Sequence, residues 1–193
     1  MKYSFVKSLV LMGMLVLSAS VSADVIHNEA DDGDLSGVFG SPTLLDVVLG
    51  ENTVIGQIGE NGNTGATDGS DADYFTFDIA AGELLTSINI DSRTPGGASF
   101  FGYRVGSFFE GQDAGDIDGN VIFSNTSGEV LDDLTGSFDP LGPGSYAFWV
   151  QEISPPVIDY SITFTVASSV PEPSSMILGA MVCCGLLTRR RRS

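Results

Sequence analysis

The chain has 193 residues, with eight basic and 25 acidic side chains, a formal net charge of −17 and only two cysteines. That length allows one domain once the two ends are set aside, and so few cysteines exclude a disulfide framework. A chain this acidic repels nucleic acid, anionic lipid and acidic polymers, which excludes nucleic acid as a partner, and it attracts divalent cations.

At the N-terminus, Lys2 and Lys7 flank the start of an apolar stretch, residues 9–17, and Val21-Ser22-Ala23 stands before Asp24. This is the pattern of a secretory signal peptide. It predicts a signal helix within residues 1–23, cleavage after Ala23 and an exported product. Residues 24–169 then form the domain. They hold 24 acidic residues against Arg93 and Arg104, a net charge of −22, and no cysteine. A cysteine nucleophile and a thiolate metal site are therefore excluded there. About 146 residues can bury roughly two-thirds of their unfolded surface, so a core alone can hold the domain together.

Taken in order, residues 24–40 are acidic and aperiodic, and read as a loop or a partly ordered arm. Residues 43–49 and 52–58 are expected as short strands joined by a tight turn at Gly50-Glu51. Residues 74–79 alternate, with Phe75, Phe77 and Ile79 on one face and Thr76 and Asp78 on the other. Residues 84–90 place Leu84, Ile88 and Ile90 together, and residues 100–105 give a further strand. In residues 146–151, Tyr146, Phe148 and Val150 oppose Ala147 and Trp149. Residues 160–166 alternate most cleanly, with Tyr160, Ile162, Phe164 and Val166 inward and Ser161, Thr163 and Thr165 outward. Glycine-, aspartate- and proline-rich turns separate these runs, and no segment between the ends carries a capped 3.6-residue period. The expected fold is all-β, an antiparallel β-sandwich.

The tail, residues 170–193, has three parts: Val170-Pro171-Glu172-Pro173, an uncharged run over residues 174–188, and Arg189, Arg190, Arg191 and Arg192. The prolines end the preceding strand. The run is expected as a membrane helix whose arginines stay cytoplasmic. At 1.5 Å per residue it is about 22 Å long against a hydrocarbon core of roughly 30 Å, a gap that snorkelling arginines narrow. These parts, in this order, resemble the PEP-CTERM sorting signal of Gram-negative bacteria. The resemblance implies processing by an exosortase-type enzyme, transient anchoring in the inner membrane, and delivery to the cell surface or extracellular exopolysaccharide matrix.

The domain carries a second resemblance. Asp68-Gly69-Ser70-Asp71-Ala72-Asp73-Tyr74-Phe75-Thr76-Phe77, the Ala81-Gly82-Glu83-Leu84-Leu85 turn, Leu141-Gly142-Pro143-Gly144-Ser145-Tyr146 with the strand after it, and the strand at residues 160–166 are similar to the bacterial pre-peptidase C-terminal domain. The similarity spans roughly residues 28–167. It implies a non-catalytic, jelly-roll-like accessory sandwich that in some members holds calcium.

Three constellations bear on chemistry. His27 is the only histidine and sits three residues past the expected cleavage site, a poor place for a triad or a zinc centre. Hard cations take six to eight oxygens from carboxylates and carbonyls on loops. Asp68, Asp71 and Asp73 before the strand at 74–79 are the first candidate calcium ligands, and Asp113, Asp116 and Asp118 are the second. Aspartate also favours turns through side-chain to backbone hydrogen bonds, which needs no ion. Phe101, Tyr103 and Trp149 are candidates for an exposed aromatic platform that stacks on a sugar.

The function expected is therefore a non-enzymatic exported surface or matrix protein acting as a binding or scaffolding module. A secreted carbohydrate-binding module is the alternative, and an extracellular carboxylate-dependent hydrolase stands third.

Overall fold

The computed structural model describes residues 23–59, 72–93, 98–113, 115–123, 128–152 and 157–169. Residues 1–22 of the expected signal peptide, the tail from Val170 onward, and Asp68 and Asp71 lie outside the described residues. Ten strands and two short helices follow in order. They are β1 (Asp24–Asn28), α1 (Glu29–Asp32), β2 (Thr43–Leu44), β3 (Gly50–Ile58), β4 (Ala72–Ile79) and β5 (Glu83–Arg93). Then come β6 (Ser99–Val105), β7 (Gly119–Phe123), β8 (Gly128–Glu129), α2 (Leu131–Thr135), β9 (Gly144–Glu152) and β10 (Ile158–Ser168).

The strands form two five-stranded sheets, β1-β3-β10-β5-β8 and β2-β4-β9-β6-β7. All ladders are antiparallel except β1 with β3 and β2 with β4, which are parallel. The sheets are joined by one core. From the first sheet come Val54, Ile58, Leu85, Ile88, Ile90, Ile162, Phe164 and Val166; from the second come Phe75, Phe77, Phe101, Phe123, Phe148 and Val150. Phe164 packs edge-on to Phe75 and Phe77, with ring centroids 5.8 and 5.1 Å away, and so locks one sheet to the other. The alternation of β4, β9 and β10 is as the sequence dictates: period-two residues on one face reach the core.

Four expectations need correction. Residues 24–40 begin with a strand, not an arm, because β1 pairs along β3 and buries His27. The segments around Gly50 do not form a hairpin. β2 and β3 lie in different sheets, and residues 45–49 cross between them. Asn52 holds that crossing, with Nδ2 donating to Val48 O and Gly50 O and Oδ1 accepting from Val48 N. In β5 the inward residue is Leu85, not Leu84. The register against β10 shifts between Thr165 and Val166, so an extra residue sits in β5 there and Leu85 joins the face of Ile88 and Ile90.

The last correction concerns the aromatic platform. Phe101 and Tyr103 point into the core, and Trp149, on the outer face of its sheet, is covered. Trp149 stacks on Tyr74 at 5.4 Å and meets Phe100 at 4.7 Å and Phe109 at 6.0 Å, in a second apolar cluster completed by Phe39 and Ile117. The residues after β6 fold over it, with Phe109 N donating to Phe39 O and Gln112 Nε2 to Tyr74 OH. None of Phe101, Tyr103 and Trp149 presents a face to a sugar.

A carboxylate cleft at one end of the sandwich

Asn28 ends β1 and caps the single turn of α1, its Oδ1 accepting from Ala30 N at 3.2 Å. Asp32 Oδ2 returns the bond by accepting from Asn28 N at 2.8 Å. This pairing of cap and first turn is how a short polar sequence makes a local helix. It fixes Glu29, whose carboxylate then bridges two distant backbones: Oε1 accepts from Leu35 N at 3.0 Å and Oε2 from Gln57 N at 2.6 Å. Leu35 is anchored in the core, so the acidic turn is held firmly against the end of β3.

Asp73 arrives from the other sheet. Alternation along β4 puts it on the same inward face as Phe75 and Phe77, and it is fully buried. Tyr160 OH donates to Asp73 Oδ2 at 2.7 Å. The phenol reaches it because Tyr160 lies opposite Gly56 on β3, where any Cβ would overlap the Tyr160 ring. A glycine at that position is a steric requirement of the Tyr160–Asp73 bond.

Carboxylate oxygens of Glu29, Asp34 and Asp73 lie within 4.8 Å of one another. Among the described residues this is the group in which three such ligands converge. Beside Glu29 and Asp34 opens a cleft of about 490 Å³ bounded by α1, Asp34, the Ile55–Gln57 stretch of β3 and Asp159; Asp73 is buried and does not line it. Burial raises the Glu29 pKa above its ordinary 4.5; the N–H groups of Leu35 and Gln57 work against this, Asp34 adds to it and His27 subtracts. Three carboxylates at such spacing repel one another and favour a bound cation.

The donor set fits a hard divalent ion. Its atoms are carboxylate oxygens, two of the groups are fixed by hydrogen bonds, and the cleft leaves room for water or backbone carbonyls to complete six to eight ligands. It offers nothing to a soft metal. Of the first predicted trio, Asp73 is in this group, while Asp68 and Asp71 lie outside the described residues. Glu29 and Asp34 were missed because they are 44 and 39 positions before Asp73 in sequence. The signal present was the acidic run from Asn28 to Asp34.

The second predicted trio is not brought together. Asp116 Oδ2 accepts from Asp113 N at 3.1 Å and shapes its own turn, whereas Asp118 Oδ2 accepts from Val105 N at 2.7 Å and ties the loop back to the end of β6. His27 is likewise occupied, with Nε2 donating to Gly33 O at 3.0 Å. The two domain arginines are engaged elsewhere: Arg104 pairs with Glu110 at 3.0 Å, and Arg93 sits over the Phe123 ring at 5.5 Å.

Fold and cleft together define a two-sheet β-sandwich with an acidic, oxygen-rich site at one end. No model of a known protein family matches the chain, and no curated protein matches it. Among solved structures it is similar to the pre-peptidase C-terminal domain of a collagenase from Bacillus anthracis. The two share 15% identity at a TM-score of 0.36, over 64% of this chain and 92% of that one.

Proposed function

We propose that this protein is a non-enzymatic, exported surface or exopolysaccharide-matrix component, a sandwich that binds or scaffolds and is delivered by its C-terminal tail through an exosortase-type enzyme. In this reading Glu29, Asp34 and Asp73 hold a calcium ion. The observation that carries the binding role is the convergence of those three carboxylates within 4.8 Å of one another, two of them on the wall of a cleft. Bound calcium would supply charge neutralisation and a rigid link between α1 and β4; the N–H groups of Leu35 and Gln57 hold Glu29 for it, and Tyr160 OH holds Asp73. With its remaining ligand positions, such an ion can bridge an acidic protein to an anionic polysaccharide that would otherwise repel it.

Two measurements test the two halves. For the site, calcium at about a hundred times its Kd stabilises by about 2.7 kcal/mol, read as a raised melting temperature. Asp73→Ala abolishes that rise, whereas Asp113→Ala retains it; no rise at millimolar calcium would remove the site. For sorting, intact-mass analysis of the protein recovered from membrane, surface and medium fractions is expected to show a C-terminus lacking Arg189–Arg192 in the surface and medium fractions. Those four arginines present on all recovered protein would contradict cleavage.

A further inference from the structure

The sandwich has two unlike ends. β3 and β10 run the length of the first sheet, and the carboxylate cleft lies at one end of them, beside Gln57 and Tyr160. At the opposite end Val166 pairs with Gly50 and Ser168 with Glu83, and Ser169 N donates to Gly82 O. The chain therefore leaves the domain at the end farthest from the cleft. The second sheet reaches the same end through Ile79 opposite Gly144 and Val105 opposite Tyr146.

That exit end carries solvent-facing aliphatic side chains. Val48 and Leu49, in the crossing before β3, are 49% and 55% exposed, and Val105, at the end of β6, is 59% exposed. Val48 and Leu49 belong to the crossing between the sheets and Val105 to the second sheet, so the three lie at the same end but on different segments. Neither β-propensity nor core packing accounts for them, because their side chains face water.

Only residues 170–173 separate Ser169 from the uncharged run at 174–188. Four residues span at most about 14 Å fully extended. If that run enters a bilayer, the exit end is held close to the lipid surface, and the aliphatic rim is the part of the domain that meets it. We propose that Val48, Leu49 and Val105 form a membrane-resting rim that seats the anchored protein end-on, with the carboxylate cleft turned away from the bilayer. The proposal rests on the membrane reading of the tail. It commits to lipid as the occupant because the tether is too short to leave this end elsewhere. The exposed Asp24, Asp46, Glu51 and Asp78 at this end limit the contact to the headgroup region.

The test uses the chain from Asp24 with its tail, Cys183 and Cys184 replaced by serine, in vesicles of phosphatidylethanolamine and phosphatidylcholine. An environment-sensitive dye is placed at Leu49→Cys, at Val105→Cys, or at Gln57→Cys beside the cleft. Flotation with the vesicles reports the tail, and dye emission reports the rim. The expected result is co-flotation of all three proteins, with blue-shifted emission that lipid-borne quenchers reduce at positions 49 and 105 but not at 57. Co-flotation with water-like emission at 49 and 105 would overturn the rim while leaving the anchor intact. Failure to float would overturn the anchor and the rim with it. Equal quenching at 57 would overturn the end-on orientation.

Discussion

At the scale of single residues, Glu29 is the most informative. A carboxyl whose folded pKa is raised binds its proton more tightly in the fold. Its contribution to stability is complete below the unfolded value and is lost as pH rises through the folded one. Burial places Glu29 in this class. In chelator, the protein is therefore expected to lose stability as pH rises from the ordinary carboxylate range, and Glu29→Gln is expected to flatten that loss. In calcium the slope reverses, because the ion and the proton compete for the same oxygens. Melting temperature against pH, with and without calcium, checks both signs; an identical slope in the two conditions would separate Glu29 from the ion. Asp73 was legible as a candidate from sequence because three aspartates precede a strong strand. Its partners were not, since bringing residues 29 and 34 to residue 73 requires the two sheets to be stacked.

At the scale of elements, period two made β4, β9 and β10 readable, because each has one face in the core. It failed where the backbone breaks the period. The extra residue in β5 makes Leu85 fully buried and leaves Leu84 half-exposed. Leu85→Ala is expected to cost about 2–4 kcal/mol and Leu84→Ala less than about 1 kcal/mol, measured as urea-unfolding midpoints. The opposite ranking would mean an unbulged strand. β1 was unreadable for another reason. Its Asp-Val-Ile-His-Asn sequence has little apolar content, and it is a strand because β3 offers it a parallel edge. The aromatic platform failed because the sequence around Phe109 looks like an ordinary turn, yet its ring is the lid on Trp149.

At the scale of the molecule, the all-β class and the sandwich follow from the sequence, because short alternating runs between turn residues admit few other folds. Which strand neighbours which did not follow, because pairing is decided by contacts between distant segments. The pairing shows that β10, the last strand of the domain, is the central strand of its sheet, lying between β3 and β5. Its Phe164 also ties that sheet to the other.

That placement sets an order of events. A chain made and threaded from its N-terminus has nothing to close the first sheet until residues 158–168 emerge. Such long-range closure is slow compared with local structure. The domain is expected to stay unfolded through most of its synthesis and to fold in one late step, when its last strand slides between two waiting ones. A fragment ending at Val157 should show no cooperative unfolding transition by circular dichroism, and adding a peptide of residues 158–169 should restore one. A cooperative transition in the fragment alone would mean that the halves assemble without their keystone.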